Sequence, residues 1–172
     1  YNFYSTDLEY RIGYIFKNKK LLTEALTHKS LNLSMNYERL EFLGDALLNI
    51  VITEWLYNKY PNYNEGDLTQ RRAQLVNKIF LSSVSKRIFS DNDIKISKSI
   101  QKTNKKTMNN IFANIIESVI GAIFIDSNIN NVKNFINKHI IPNLKDSKTS
   151  NINYKGILLE KCHKLKYKEP IF

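Results

Sequence analysis

The sequence predicts an all-α protein, and three observations lead there. Glycine and proline are scarce, five and three in 172 residues, which leaves few of the tight turns that a sheet protein needs. Apolar residues recur at helical rather than alternating spacing through most of the chain. Those runs are bounded by Asn, Asp and Pro, residues that start or stop helices.

Taken in order, residues 21–26 carry apolar side chains at 21, 22, 25 and 26 and predict a short helix ending near His28. Asn36 is placed to cap a longer helix to about Asn58, with Leu40, Leu43, Leu47, Ile50, Val51 and Trp55 at helical spacing. Pro61 and Asn62 end it. Asp67, with Gln70 three residues on, reads as the cap of one further helix through Leu75, Ile79 and Val84. Residues 90–109 are polar and Lys-rich and read as a surface loop with one short extended stretch, Ile94–Ile96. A strongly apolar helix follows from about Thr107 to Asp126, then an amphipathic one from Asn128 to Ile141, stopped by Pro142. The first domain is thus expected over 1–143, a polar linker over 144–153, and a further amphipathic helix and the start of a strand over 154–172. A helix and half a strand bury too little for a core, so the tail reads as the start of a second domain. The chain opens without Met and is expected to be a fragment.

Composition narrows the function. Apolar residues make up 42%, enough to fill a core and to exclude wholesale disorder. Twenty-six Lys and Arg against sixteen Asp and Glu give +10, which suggests a polyanionic partner, nucleic acid ahead of lipid. The competing reading is an A+T-rich coding sequence, since Lys, Asn and Ile are over-used and Arg is confined to Arg11, Arg39, Arg71, Arg72 and Arg87. The single Cys162 excludes an intramolecular disulfide and a Cys-rich zinc site. No run reaches the roughly 18–20 apolar residues of a membrane span, and the opening lacks a basic n-region and an apolar h-region. An intracellular, non-secreted protein is expected, in cytoplasm or nucleus, with no membrane partner.

Acidic residues occur where a helix should be dry. On the helix after Asn36, Glu41 and Asp45 fall within roughly 60° of Glu38, so three carboxylates share one stripe. A solvated acidic face is one explanation; a bound cation is the other. In the apolar helix, Asn114 and Glu117 stand three apart on one face, and a buried polar pair needs partners. Gly44, Ala113 and Gly121 would let the two helices approach closely, which would gather Glu41, Asp45, Asn114 and Glu117 around one point. An all-oxygen set suits Mg2+ or Mn2+ rather than zinc. Such a site beside a basic surface points to metal-assisted phosphodiester hydrolysis.

The segment Glu38-Arg-Leu-Glu-Phe-Leu-Gly-Asp45 resembles the ribonuclease III signature at every one of its positions. Residues 26–30 (LTHKS), 65–67 (EGD) and 116–126 (IESVIGAIFID) resemble further motifs of that family, so that 8–142 are covered. Residues 154–172 resemble the beginning of the double-stranded-RNA-binding domain that follows in the family, an α-β-β-β-α fold behind an all-α nuclease domain. The resemblance implies that Glu41, Asp45 and Glu117 bind metal, with Asp45 and Glu117 the catalytic pair. It gives Glu38 and Glu65 supporting acidic roles and places Phe42 in the partner subunit of a homodimer. It implies hydrolysis of both strands of double-stranded RNA with Mg2+, Mn2+ substituting, and no small-molecule cofactor. The products would be 5′-phosphate and 3′-hydroxyl ends with short 3′ overhangs. Where the family usually has Asp, this chain has Asn114, which keeps an acceptor oxygen but lacks a charge. A catalytically impaired double-stranded-RNA-binding relative is therefore the alternative, and a structural dimerisation module a further one that the +10 charge opposes. Arg71, Arg72 and Lys78 are candidate phosphate contacts, with an exposed basic face as the plain reading. His28 lacks a second His at metal spacing and is expected to be structural.

Overall fold

The computed structural model describes residues 6–101 and 104–143. The chain divides between residues 142 and 143, and the fold below is that of the first unit. The expected linker at 144–153 and the expected domain start at 154–172 lie outside the described residues.

Eight α-helices are present among the described residues: α1 (Asp7–Ile12), α2 (Lys19–Ala25), α3 (Glu38–Lys59), α4 (Glu65–Leu75), α5 (Lys78–Ile88), α6 (Lys98–Gln101), α7 (Lys105–Asp126) and α8 (Ile129–His139). Short 3-10 turns occupy Lys29–Leu31 and Asp91–Asp93. No strand forms among the described residues, and the all-α expectation holds.

The core is built around α7. Its side chains from Ile111 to Ile123 are buried, Asn114 excepted, because α3, α5, α2 and α8 pack against it from several sides. By length and composition α7 could cross a bilayer, contrary to the expectation that no segment qualifies, but it is a core helix wrapped in protein. The closest approach is to α3. A Cβ added at Gly44 would lie 1.7 Å from the Glu117 carbonyl oxygen, and one at Gly121 would lie 2.3 Å from that of Leu40. Only hydrogen at both positions lets the two backbones touch, and that contact sets the depth at which Glu117 sits.

Several boundaries differ from expectation for identifiable reasons. The single helix expected from Asp67 through Val84 is two, α4 and α5, and its cap is Asn64, whose Oδ1 accepts from Asp67 N at 2.9 Å. Asn77 makes the break: its Oδ1 accepts from Phe80 N at 2.9 Å, a new N-cap that competes with helix continuation. Ile79, expected inside that single helix, stands on α5 and is 80% exposed. Helix α7 starts two residues early because Asn104 caps it, accepting from Thr107 N. Helix α8 is capped by Asn128 and ends at His139, short of the expected Ile141.

Helix α1 adds to the expected set. Thr6 and Glu9 form a capping box, and the buried Glu9 also accepts from Phe16 N at 2.8 Å and from Lys19. The loop expected over 90–109 contains α6 and a 3-10 turn, but its extended stretch is real. Lys95 N donates to Leu26 O, and His28 N donates to Lys95 O, both at 2.8 Å, with Ile94 and Ile96 buried on either side.

Candidate active site

Helix α3 supplies Glu38, Glu41 and Asp45, and α7 supplies Asn114 and Glu117. The α3 stripe grades from wet to half-dry. Glu38 is exposed and paired with Lys29 at 2.9 Å, and its backbone N–H donates to Asn36 Oδ1; the N-cap position is Tyr37, not the expected Asn36, which lies one residue further out. Asp45 is exposed, and its Oδ1 accepts from Asn49 Nδ2 at 3.1 Å. Glu41 lies deeper; burial raises its pKa, which Lys78 opposes and Glu38 reinforces.

Glu117 is the buried member, 4% exposed. Burial pushes its pKa up to about 7; the Lys78 charge opposes that rise, and Asp45 and Glu41 add to it. A carboxylate so placed is short of positive charge. Lys78, the first residue of α5, supplies what there is: its Nζ donates to Asn114 Oδ1 at 2.6 Å and lies 3.8 Å from Glu41 Oε1. An ammonium only donates, so it fixes the Asn114 amide with oxygen inward and turns Nδ2 toward the Tyr37 hydroxyl, 3.4 Å away. Tyr37 is 3% exposed, and burial holds its phenol up to about 12, so it stays a neutral hydroxyl.

The two packed helices therefore bring Glu41, Asn114 and Glu117 under the influence of one cation, with Asp45 acting on Glu117. Among the described residues, however, no three His, Cys, Asp or Glu side chains are gathered as a metal cage. Glu65 opens α4 and accepts from Thr69 Oγ1 at 3.0 Å; no described interaction links it to the Lys78 cluster. Of the other candidate phosphate contacts, Arg71 lies over the Tyr60 ring at 4.6 Å and donates to the Tyr63 hydroxyl, while Arg72 donates to Thr53 Oγ1. His28 behaves as a structural residue: its Nδ1 accepts from Ser30 N at 3.0 Å and its ring meets Tyr37 edge-on. Burial lowers its pKa, and Lys29 adds to that.

Tyr37 escaped the sequence reading, and so did the place of Lys78 in the pocket. Tyr37 stands next to the signature and gives no spacing signal of its own. Lys78 was expected as a phosphate contact or part of an exposed basic face; its pairing with Asn114 and Glu41 has no signal in the sequence, since α2, α6 and α7 also open on Lys. Phe42 points off the acidic stripe and is 81% exposed, beside a shallow groove that includes Leu21, Leu43 and Ile125.

Comparison with known proteins places this arrangement. A family described as Ribonuclease-III-like matches residues 18–144. Ribonuclease 3 of Acinetobacter baylyi is 44% identical over 144 residues, 80% of this chain and 60% of the relative. Ribonuclease 3 of Campylobacter fetus is 39% identical over 150 residues, 87% of this chain and 65% of the relative. The chain thus spans about three-fifths of the length of the curated relatives it matches. Among solved structures, the nuclease domain of ribonuclease III from Campylobacter jejuni, described for flexibility in a region involved in its dimer formation, superposes with a TM-score of 0.75. It is 38% identical and covers 79% of this chain and 95% of that one. Dicer from Pichia stipitis gives a TM-score of 0.62 at 28% identity, covering 85% of this chain and 68% of that one. With the family matched across the helices that carry the acidic pocket, the chain belongs to the ribonuclease-III-like family.

Proposed function

We propose that this chain is the nuclease part of an intracellular endoribonuclease that cuts both strands of double-stranded RNA in a Mg2+-dependent reaction, with Mn2+ able to substitute. The ends would be 5′-phosphate and 3′-hydroxyl with short 3′ overhangs. The observation that carries this reading is the buried Glu117 carboxylate, set at the α3–α7 contact with Glu41 and Asp45 acting on it.

The residues present fit a hard divalent ion. The donors are all oxygen, three carboxylates and the Asn114 amide, and the Lys78 ammonium already stands in as a cation between two of them. Glu41, Asp45, Asn114 and Glu117 would hold the ion. When bound, it supplies Lewis acidity toward the scissile phosphate and toward the attacking water. The protein's own part is placement. Gly44 and Gly121 fix the depth of Glu117, Tyr37 orients Asn114, and the exposed Glu38 and Glu65 have supporting roles on the rim. Arg71, Arg72 and Lys78 are the candidate phosphate contacts. Recognition would follow duplex shape and 2′-hydroxyls, not base sequence, because side chains cannot read the deep groove of A-form RNA. The working unit would be a homodimer closed over Phe42.

A second reading, an RNA-binding relative of impaired activity, is favoured by one observation: Asn114 brings no charge to the pocket. Both readings are tested by one assay of long duplex RNA with Mg2+, Mn2+ or EDTA. The enzyme reading expects metal-dependent cleavage that falls more than about a hundredfold in Asp45→Asn and Glu117→Gln. Asn114→Asp should raise the rate if the pocket is short of charge. Retarded mobility of the RNA without cleavage in either metal would favour the second reading. Cleavage indifferent to Asp45 and Glu117 would sink the first.

A further inference from the structure

Lys78 sits in a place that local rules oppose. It is the first residue of α5, directly after the Asn77 cap, where the unsatisfied N–H groups of the helix already carry partial positive charge. Holding a long side chain in one geometry also costs rotamer entropy. What offsets both is the pocket: Nζ lies 2.6 Å from Asn114 Oδ1 on α7 and 3.8 Å from Glu41 Oε1 on α3. The same charge opposes the upward shift of both Glu41 and Glu117, so it acts on three of the four candidate ligands. Yet the Lys78 side chain is 52% exposed, so its head can swing into water without disturbing the core. Its main partner at Asn114 is a neutral amide oxygen, a weaker hold than a carboxylate would give.

We propose that Lys78 is the resident counter-ion of the acidic pocket: its ammonium lies across Glu41 Oε1 and Asn114 Oδ1, the oxygens a divalent ion would take, so metal binding must displace it and its charge sets the metal affinity by competition. This rests on reading the pocket as a divalent-cation site. An ammonium and a divalent ion on the same pair of oxygens would stand a few ångströms apart and repel each other, and the repulsion persists at any nearby position to which the ammonium retreats. Lys78 is a positioning residue in this scheme, orienting the Asn114 amide while metal-free and yielding its place on loading.

The test is Mn2+ binding to the 172-residue chain without RNA, followed by calorimetry or by the electron paramagnetic resonance of free Mn2+. Lys78→Met should lower the Mn2+ dissociation constant about tenfold at low salt, by removing the competitor. Lys78→Arg keeps the charge and should bind within about twofold of the parent. Unchanged or weaker binding in Lys78→Met overturns the proposal, and so does tightening in Lys78→Arg, since charge would then not be the cause. Asp45→Asn and Glu117→Gln separate the two layers of the argument. If they bind Mn2+ like the parent, the pocket is not the metal site and the underlying reading fails. If they bind more weakly while Lys78→Met is unchanged, only the role of Lys78 falls. No binding in any variant, Lys78→Met included, overturns both.

Discussion

Glu117 shows how one residue can cost stability for the sake of a pocket. Its ordinary pKa of 4.5 is raised to about 7 in the folded chain, first by burial and then by Asp45 and Glu41, against the pull of Lys78. The folded state therefore holds this proton more tightly than the unfolded state does. The contribution of Glu117 to stability is full below about pH 4.5 and is lost as pH rises through about 7. That loss is on the order of 3 kcal/mol. Glu9, Asp93 and Asp126 are shifted the other way, so the parent's total pH profile mixes both signs; the difference between parent and Glu117→Gln isolates one group. Urea midpoints should coincide near pH 4.5, and at pH 8 the Gln variant should be the more stable. Mn2+ should stabilise the parent at pH 8 and do much less for the variant. A variant no more stable than the parent at pH 8 would mean that Glu117 is better compensated than its burial implies.

At the scale of elements, the site depends on how closely α3 and α7 meet. Gly44→Ala would drive a methyl into the Glu117 backbone, 1.7 Å from its carbonyl oxygen, and the clash is with main chain that cannot rotate away. The helices must separate, at a cost of about 3 kcal/mol or more, the upper end of overpacking penalties. The expected result is a lower urea midpoint and weaker Mn2+ binding together; a fully stable Gly44→Ala would show that the contact is looser than drawn. This contact was legible in the sequence because Gly44 and Gly121 fall on the same faces as the acids. The long helices were legible for a similar reason, since sustained apolar periodicity has one interpretation. The α4–α5 break was not. Apolar residues continue across it at Leu75, Ile79 and Val84, and the Asn77 cap that interrupts them is a side-chain hydrogen bond that an apolar pattern does not register. Helix α1 was passed over because six residues give too little periodicity, and its stability comes from Glu9 partners as distant as Phe16 and Lys19. At the site, the acids were legible from helical faces, whereas Lys78 reaches Asn114 across 36 positions of sequence, a pairing that only the packing of α5 on α7 creates.

At the scale of the whole molecule, an exposed apolar feature stands beside the acidic stripe. Phe42 is 81% exposed and Ile125 is 56% exposed, next to the groove that includes Leu21 and Leu43. Phe42 follows Glu41 directly, so whatever covers it lies close to the acidic pocket, and two-fold closure would set two pockets on one duplex. Charge works against that closure. Each copy carries +10, so two copies repel until salt screens them or a polyanion lies between them. Two behaviours should follow in sedimentation. The dimer fraction of the RNA-free chain should rise with ionic strength, because apolar burial at Phe42 is indifferent to salt while the repulsion is not. Phe42→Ala should weaken association by about 2 kcal/mol or more at every salt concentration, as expected for an aromatic anchor near the centre of an interface. The urea midpoint of the monomer should hardly change, since an exposed side chain contributes little to the fold. A chain that sediments as a monomer at all salt concentrations, or a Phe42→Ala variant that dimerises like the parent, would remove Phe42 from the interface and leave each pocket to act alone.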